Sequence, residues 1–216
     1  CGGLVSRKEL MQQIRELMQL LQAEYGQPVD IEFTMNVAAT GEYMINLLQC
    51  RPLQVFNDTG KVCVPDDIQK ESIFLESHGA VMGLSRKTQL DYVVYVDPAA
   101  YYNLDYAKKP TVARLIGALN WKWRGQGKHL MLMVPGRIGT SSPELGVPTA
   151  FSDISEFEVI CEIQGKSAGY NPELSYGSHI FQDLVEAEIL YTAVFANEST
   201  KIFTPEKLAV LEDITG

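Results

Sequence analysis

Asp30-Ile31-Glu32-Phe33 and Leu48-Gln49-Cys50-Arg51-Pro52 are two β-like runs joined by the turn signal Ala39-Thr40-Gly41-Glu42. Pairing the runs symmetrically about the Thr40–Gly41 peptide sets Glu32 opposite Gln49 and Asp30 opposite Arg51. Side chains alternate along a strand, and directly opposed residues share a face. One face of the expected hairpin therefore carries Asp30, Glu32, Gln49 and Arg51. The other carries Ile31, Phe33, Leu48 and Cys50. A polar face arises in any half-buried hairpin as its solvated side. These particular residues also suit a metal and a phosphate: Glu32 offers a hard oxygen, Gln49 a neutral carbonyl, and Arg51 a forked donor that matches phosphate oxygens.

Ahead of the hairpin, Ser6-Arg7-Lys8-Glu9 is a capping-box signature. Leu10, Ile14, Leu17 and Leu21 follow at helical spacing, with Met11 and Met18 widening the apolar stripe. Gly26 and Pro28 stop the helix.

The order of segments resembles the end of the nucleotide-binding domain of phosphoenolpyruvate synthase and pyruvate phosphate dikinase. It runs from the amphipathic helix to Tyr25-Gly26-Gln27-Pro28-Val29-Asp30-Ile31-Glu32-Phe33, then to Leu47-Leu48-Gln49-Cys50-Arg51-Pro52. The resemblance covers about the first quarter of the chain. It implies an ATP-grasp fold, of which residues 1–52 would be a C-terminal remnant made of a helix plus a β-hairpin. It also implies that Glu32 and Gln49 help hold magnesium and the phosphates of ATP, and that Arg51 contacts phosphate. No glycine-rich phosphate loop precedes the helix. Cys1 stands where an initiating Met would be expected. Both points suggest a piece of a longer protein, with upstream domains completing the nucleotide site and the isolated chain inactive.

The chain has 216 residues, 46% hydrophobic and 21% charged, as expected of a globular protein. A net charge of −9 argues against nonspecific nucleic-acid binding, which relies on clustered Lys and Arg. No apolar run reaches the length of a membrane span, and no signal peptide is visible. Cys1, Cys50, Cys63 and Cys161 are scattered without metal-ligand spacing; free thiols fit a reducing cytoplasm.

After Pro52 the pattern changes. Asn57-Asp58-Thr59-Gly60 and Pro65-Asp66-Asp67 mark a boundary near residues 53 to 68. Ser72 to Glu76, Tyr92 to Val96, Leu130 to Val134, Glu158 to Ile163 and Ile189 to Phe195 read as strands. Thr111 to Trp121 reads as a helix with Val112, Leu115, Ile116 and Leu119 facing inward. Ser178 to Glu186 reads as a short helix, and a last helix starts at Thr204-Pro205. The unbroken apolar run Leu130 to Val134 is typical of a central strand covered on both faces. Residues 53–216 are thus expected to form an α/β or α+β sandwich domain of unknown function.

The loop from Pro135 to Gly146 leaves the carboxyl end of that central strand, where open α/β sheets usually bind ligands. Gly136 and Gly139 would let backbone N–H groups approach an anion, Thr140 adds a hydroxyl donor, and Arg137 adds charge. No Gly-Lys-Ser/Thr closes the loop, so it is not a Walker motif. A rigid structural loop is the competing reading. Pro135-Gly136-Arg137-Ile138-Gly139, Leu145-Gly146-Val147-Pro148, Asp153-Ile154-Ser155 and Gly177-Ser178-His179 resemble, more loosely, the C-terminal region of multidomain bacterial proteins related to the dikinases.

Other polar groups read as structural. Ser178 is more simply a helix N-cap than a nucleophile, and His179 in the first helical turn lacks an acid partner. Glu76-Ser77-His78-Gly79 has a superficial likeness to the phosphohistidine stretch of the same enzymes, without its glycine-rich context. His129 opens the buried strand, and Trp121 and Trp123 beside Arg124 suit packing.

Two functions from different classes follow. The resemblance implies a fragment of an ATP-dependent phosphotransferase acting on a small phosphorylated or carboxylate metabolite, with ATP and magnesium as cofactors. Alternatively, the second part is a noncatalytic ligand-sensing or interaction module appended to an ATP-grasp domain.

Overall fold

The computed structural model describes residues 7–38, 40–52, 62–79, 81–165, 174–175, 180–197 and 199–214. The chain divides into two compact units, residues 1–57 and 58–216. Ser6, Ala39, Asn57 to Gly60, Ser178 and His179 lie outside the described residues, as does Cys1. No helix among those described is long and apolar enough to cross a membrane.

In the first unit, helix α1 (Lys8–Tyr25) has Arg7 at its N-cap without a side-chain cap bond. It ends at Gly26, whose φ of 70° supplies the left-handed turn that closes helices. Leu10 is buried, and Ile14, Leu17 and Leu21 are half-buried along the same stripe, as the spacing predicts. Met11 and Met18 lie at its exposed margins. Strands β1 (Val29–Val37) and β2 (Tyr43–Pro52) form an antiparallel hairpin. Ala38 N donates to Glu42 O at 2.8 Å and Gly41 N to Ala38 O at 2.9 Å, closing the turn.

The register matches expectation from Asp30 to Glu32 and departs after it. Asp30 faces Arg51, Ile31 faces Cys50 and Glu32 faces Gln49, but Phe33 faces Leu47, not Leu48. The β-bulge has a physical reason. A one-residue slip turns every later side chain of one strand to the opposite face. With the bulge, Leu47, Ile45 and Tyr43 oppose Phe33, Met35 and Val37, so apolar residues of both strands share one side. Without it they would be set against Thr34 and Asn36.

The second unit is built on a five-stranded sheet ordered β4-β8-β7-β6-β5. Its strands are β4 (Val81–Met82), β5 (Tyr92–Tyr95), β6 (Leu130–Pro135), β7 (Val159–Ile163) and β8 (Leu190–Val194). β5 to β8 run parallel and β4 is antiparallel at one edge. Helices α2 (Pro98–Asn103), α3 (Lys109–Trp123) and α4 (Ile180–Glu186) complete the crossovers. The four parallel strands lie side by side in chain order. Right-handed crossovers then place every connection on one face.

The two cores agree with this layering. Leu130, Leu132, Val134, Ile160 and Tyr191 pack with Ala113, Ile116, Trp123 and Leu184 on the helical side. Met131, Met133, Cys161 and Ile163 face the other way, against Phe74, Leu75 and Phe203. That side is covered by an antiparallel ribbon of β3 (Leu75–Ser77) and β9 (Thr200–Phe203). β6 is buried throughout, as its unbroken apolar run requires.

Three expectations are corrected. Leu115 is 60% exposed, because the inward face of α3 runs through Ala113, Ile116, Gly117, Asn120 and Trp123. The strand read from Ser72 begins only at Leu75, since residues Lys70–Ser72 form a 3₁₀ turn. The last helix is a 3₁₀ segment, Pro205–Val210, and the Thr204 hydroxyl donates to Phe74 O at 3.2 Å instead of capping it.

Candidate functional site

Alternation and register place Asp30, Glu32, Gln49 and Arg51 on one face of the hairpin, all half-buried. The amide of Gln49, oriented so that both of its ends are satisfied, accepts from Arg51 Nη2 at 2.6 Å and from Nε. Residues two apart on a strand project to the same side, so this contact follows from local geometry. It holds the guanidinium along the strand. The bulge begins immediately beyond the Glu32–Gln49 pair, so the polar cluster occupies the regular end of the ladder. The Glu32 carboxylate is a hard-oxygen donor on this surface, while the Gln49 carbonyl is engaged by Arg51. The described residues contain no group of three or more His, Cys, Asp or Glu that could hold a metal by themselves.

The remaining expected site residues lie in the second unit, where the loop after β6 is closed upon itself. Gly136 N donates to Ile163 O at 3.0 Å, Arg137 N to Leu145 O at 2.8 Å, and Leu145 N to Ser142 O at 2.9 Å. The Thr140 hydroxyl accepts from Ser142 N at 3.1 Å. Gly136 has a φ of 66°, and a Cβ there would strike Leu145 O and come within 2.6 Å of the Tyr102 hydroxyl. Gly139 is exposed and has a φ of 71°, a conformation that favours glycine, and a Cβ there would press only on the mobile end of Ile180. Gly136 therefore serves close packing. Arg137 is half-buried beside it.

The loop also binds a buried carboxyl of the protein itself. Glu162 on β7 is fully buried, and Ile138 N donates to its Oε1 at 2.8 Å. Ser175 donates to it twice, from N to Oε2 at 2.7 Å and from Oγ to Oε1 at 2.5 Å. The Tyr191 hydroxyl donates to Oε2 at 2.8 Å. Burial pushes the Glu162 carboxyl above the usual range, and these donors oppose that shift. One carboxylate thus ties together the β6 loop, residues 174–175 and β8.

A second buried polar group lies beside the loop. Lys109 Nζ donates to Tyr101 O at 2.6 Å and sits 4.3 Å from the Tyr101 ring centroid. It caps the last carbonyls of α2. Burial lowers its pKa, and the Glu144 carboxylate opposes this. The Tyr101 hydroxyl lies 2.7 Å from Gly146 O and 2.9 Å from Pro143 O, its single proton shared between them, and so clamps the loop. Glu162, Ser175, Tyr191, Lys109 and Tyr101 escape a sequence reading. Only Glu162 leaves a trace there, as a charged residue inside an otherwise apolar strand.

The other polar groups read from the sequence sit apart. His129 Nδ1 lies 2.6 Å from Glu158 Oε1 at the opposite end of the strands. His78 Nε2 lies 2.9 Å from Glu76 Oε1 at an exposed position. Trp123 is buried and stacks on Tyr92 at 4.7 Å, while Arg124 lies 4.9 Å over the exposed Trp121. Crevices in open α/β sheets form where the strand order reverses. The order β5-β6-β7-β8 contains no such reversal.

The first unit thus brings Glu32, Gln49 and Arg51 together on one strand face, whereas the second holds its buried Glu162 carboxyl through donors of its own. Residues 5–72 match the family model of the pyruvate phosphate dikinase AMP/ATP-binding domain. This part of the chain is therefore similar to a nucleotide-binding domain of the dikinase family. No curated protein and no solved structure matches the chain.

Proposed function

We propose that the chain is part of an ATP-dependent phosphotransferase similar to phosphoenolpyruvate synthase and pyruvate phosphate dikinase, its hairpin supplying one wall of the magnesium–ATP site. The observation that carries this reading is the opposition of Glu32 and Gln49, with Arg51 bonded to Gln49, inside the segment that matches the nucleotide-binding family. Phosphoryl transfer depends on positioning and on neutralising charge on the phosphate oxygens. When bound, magnesium–ATP supplies the transferable group. Glu32 would hold the cation with Gln49 beside it, and Arg51 would present its fork to phosphate oxygens. In the free chain Arg51 Nε and Nη2 are engaged by the Gln49 carbonyl, so ligand would have to replace this contact for Gln49 to face the cation and Arg51 to present its fork. The acceptor is proposed to be a small phosphorylated or carboxylate metabolite.

The test uses manganese in place of magnesium. Millimolar Mn²⁺–ATP should broaden the nuclear magnetic resonance signals of Glu32 and the Gln49 side-chain amide before those of the second unit. Glu32→Gln should remove the effect. Uniform broadening along the chain, unchanged by the substitution, would overturn the assignment.

A further inference from the structure

We propose that the outer edge of β5, with the groove beside it, binds an extended peptide bearing basic side chains by adding it to the sheet. β5 is the last strand of the five-stranded sheet, and among the described residues it pairs with β6 alone. Tyr92 N donates to His129 O at 3.3 Å and Val96 N to Met133 O at 2.9 Å. Successive residues of a strand direct their backbone groups to opposite sides, so those of Val93 and Tyr95 point away from β6.

Natural sheets usually blunt such an edge with Lys, Pro or a bulge. Tyr92-Val93-Val94-Tyr95 has none of these and is built entirely of residues that favour strands.

The space beside this edge is a groove of about 690 Å³, walled on its far side by residues 205–214. Leu119, Trp123, Leu208 and Leu211 give it apolar surface, as β-addition requires for alternate side chains of the incoming strand. Its charges are all of one sign: Asp91, Glu212 and Asp213 line it, and no Lys, Arg or His does. Lys128 approaches Asp91 at 3.5 Å from outside the groove. The carboxylates select the occupant. A second copy of this chain would bring the same acidic rim, on a molecule of net charge −9, against this one. A basic segment is attracted instead.

The experiment is fluorescence polarisation of the full chain with a labelled Lys-Val-Lys-Val-Lys-Val peptide. Saturable binding is expected, weakened by about tenfold or more when glutamate replaces lysine or alternate amides are N-methylated. Val93→Pro removes an outward N–H at an edge position where proline is tolerated, and should weaken binding by a similar factor, about tenfold. Glu212→Arg, an exposed change with no cost to the core, should weaken the lysine peptide and improve the glutamate one. Equal binding of the N-methylated peptide would overturn strand addition. Absence of saturation below millimolar peptide would overturn the site. Self-association of the chain abolished by Val93→Pro would assign the edge to a second copy and overturn the peptide proposal.

Discussion

Phe33 lies opposite Leu47, and Leu48, next along β2, has no partner on β1. The ladder thus contains one residue more than it pairs. Deleting Leu48 should leave a regular hairpin with Glu32 still facing Gln49 and apolar residues still on one side. Nuclear Overhauser contacts across that pair should persist, with stability changed by less than about 1 kcal/mol. Loss of the contact would show that the bulge is required for the polar face.

Glu162→Ala should be among the most damaging single changes in the second unit. It strands the buried donors of Ile138, Ser175 and Tyr191, each normally costing about 1–3 kcal/mol when unsatisfied. Urea unfolding should show a loss of at least about 3 kcal/mol.

The same carboxyl sets a pH dependence. Its folded-state pKa is raised by burial, so the folded chain holds the Glu162 proton more tightly than the unfolded chain. That contribution is complete below the ordinary value of 4.5 and is lost as pH rises through the folded value. Within that window the native chain should lose up to about 1.4 kcal/mol per pH unit relative to Glu162→Gln. Parallel stability curves for the two proteins would refute it.

Gly136→Ala should destabilise the β6 loop by about 2 kcal/mol or more. Its positive φ alone costs of order 1–3 kcal/mol for a side chain, and the added Cβ has no space against Leu145 O. Calorimetric melting of the second unit is the measurement.

Thiol reactivity should separate the cysteines by burial. Cys63 is exposed and should react quickly with an aromatic disulfide reagent, with half-buried Cys50 slower. The Cys161 thiol is buried and pushed up to about 12 by desolvation, so it should react only on unfolding. Prompt labelling of Cys161 in the native chain would contradict the two-sided cover of β7.

The sequence by itself determined the elements governed by short-range periodicity and turn chemistry. The α1 stripe, the Gly26 stop and the burial of β6 all follow from spacing within a few residues. The polar cluster of Asp30, Glu32, Gln49 and Arg51 needs more than the turn, which sets Val37 opposite Tyr43: the bulge then shifts the ladder by one residue and brings Glu32 opposite Gln49. The tertiary structure alone decided what depends on partners remote in sequence. The bulge at Leu48 reconciles two apolar patterns that are out of step, which neither strand reveals alone. Glu162 reads as half of an alternating strand until both faces of β7 are seen to be covered. The close approach of Leu145 O to Gly136 is likewise invisible until the loop is seen folded. The hairpin was legible because its geometry is local; the closed loop and the open β5 edge were not, because each exists only through strand order.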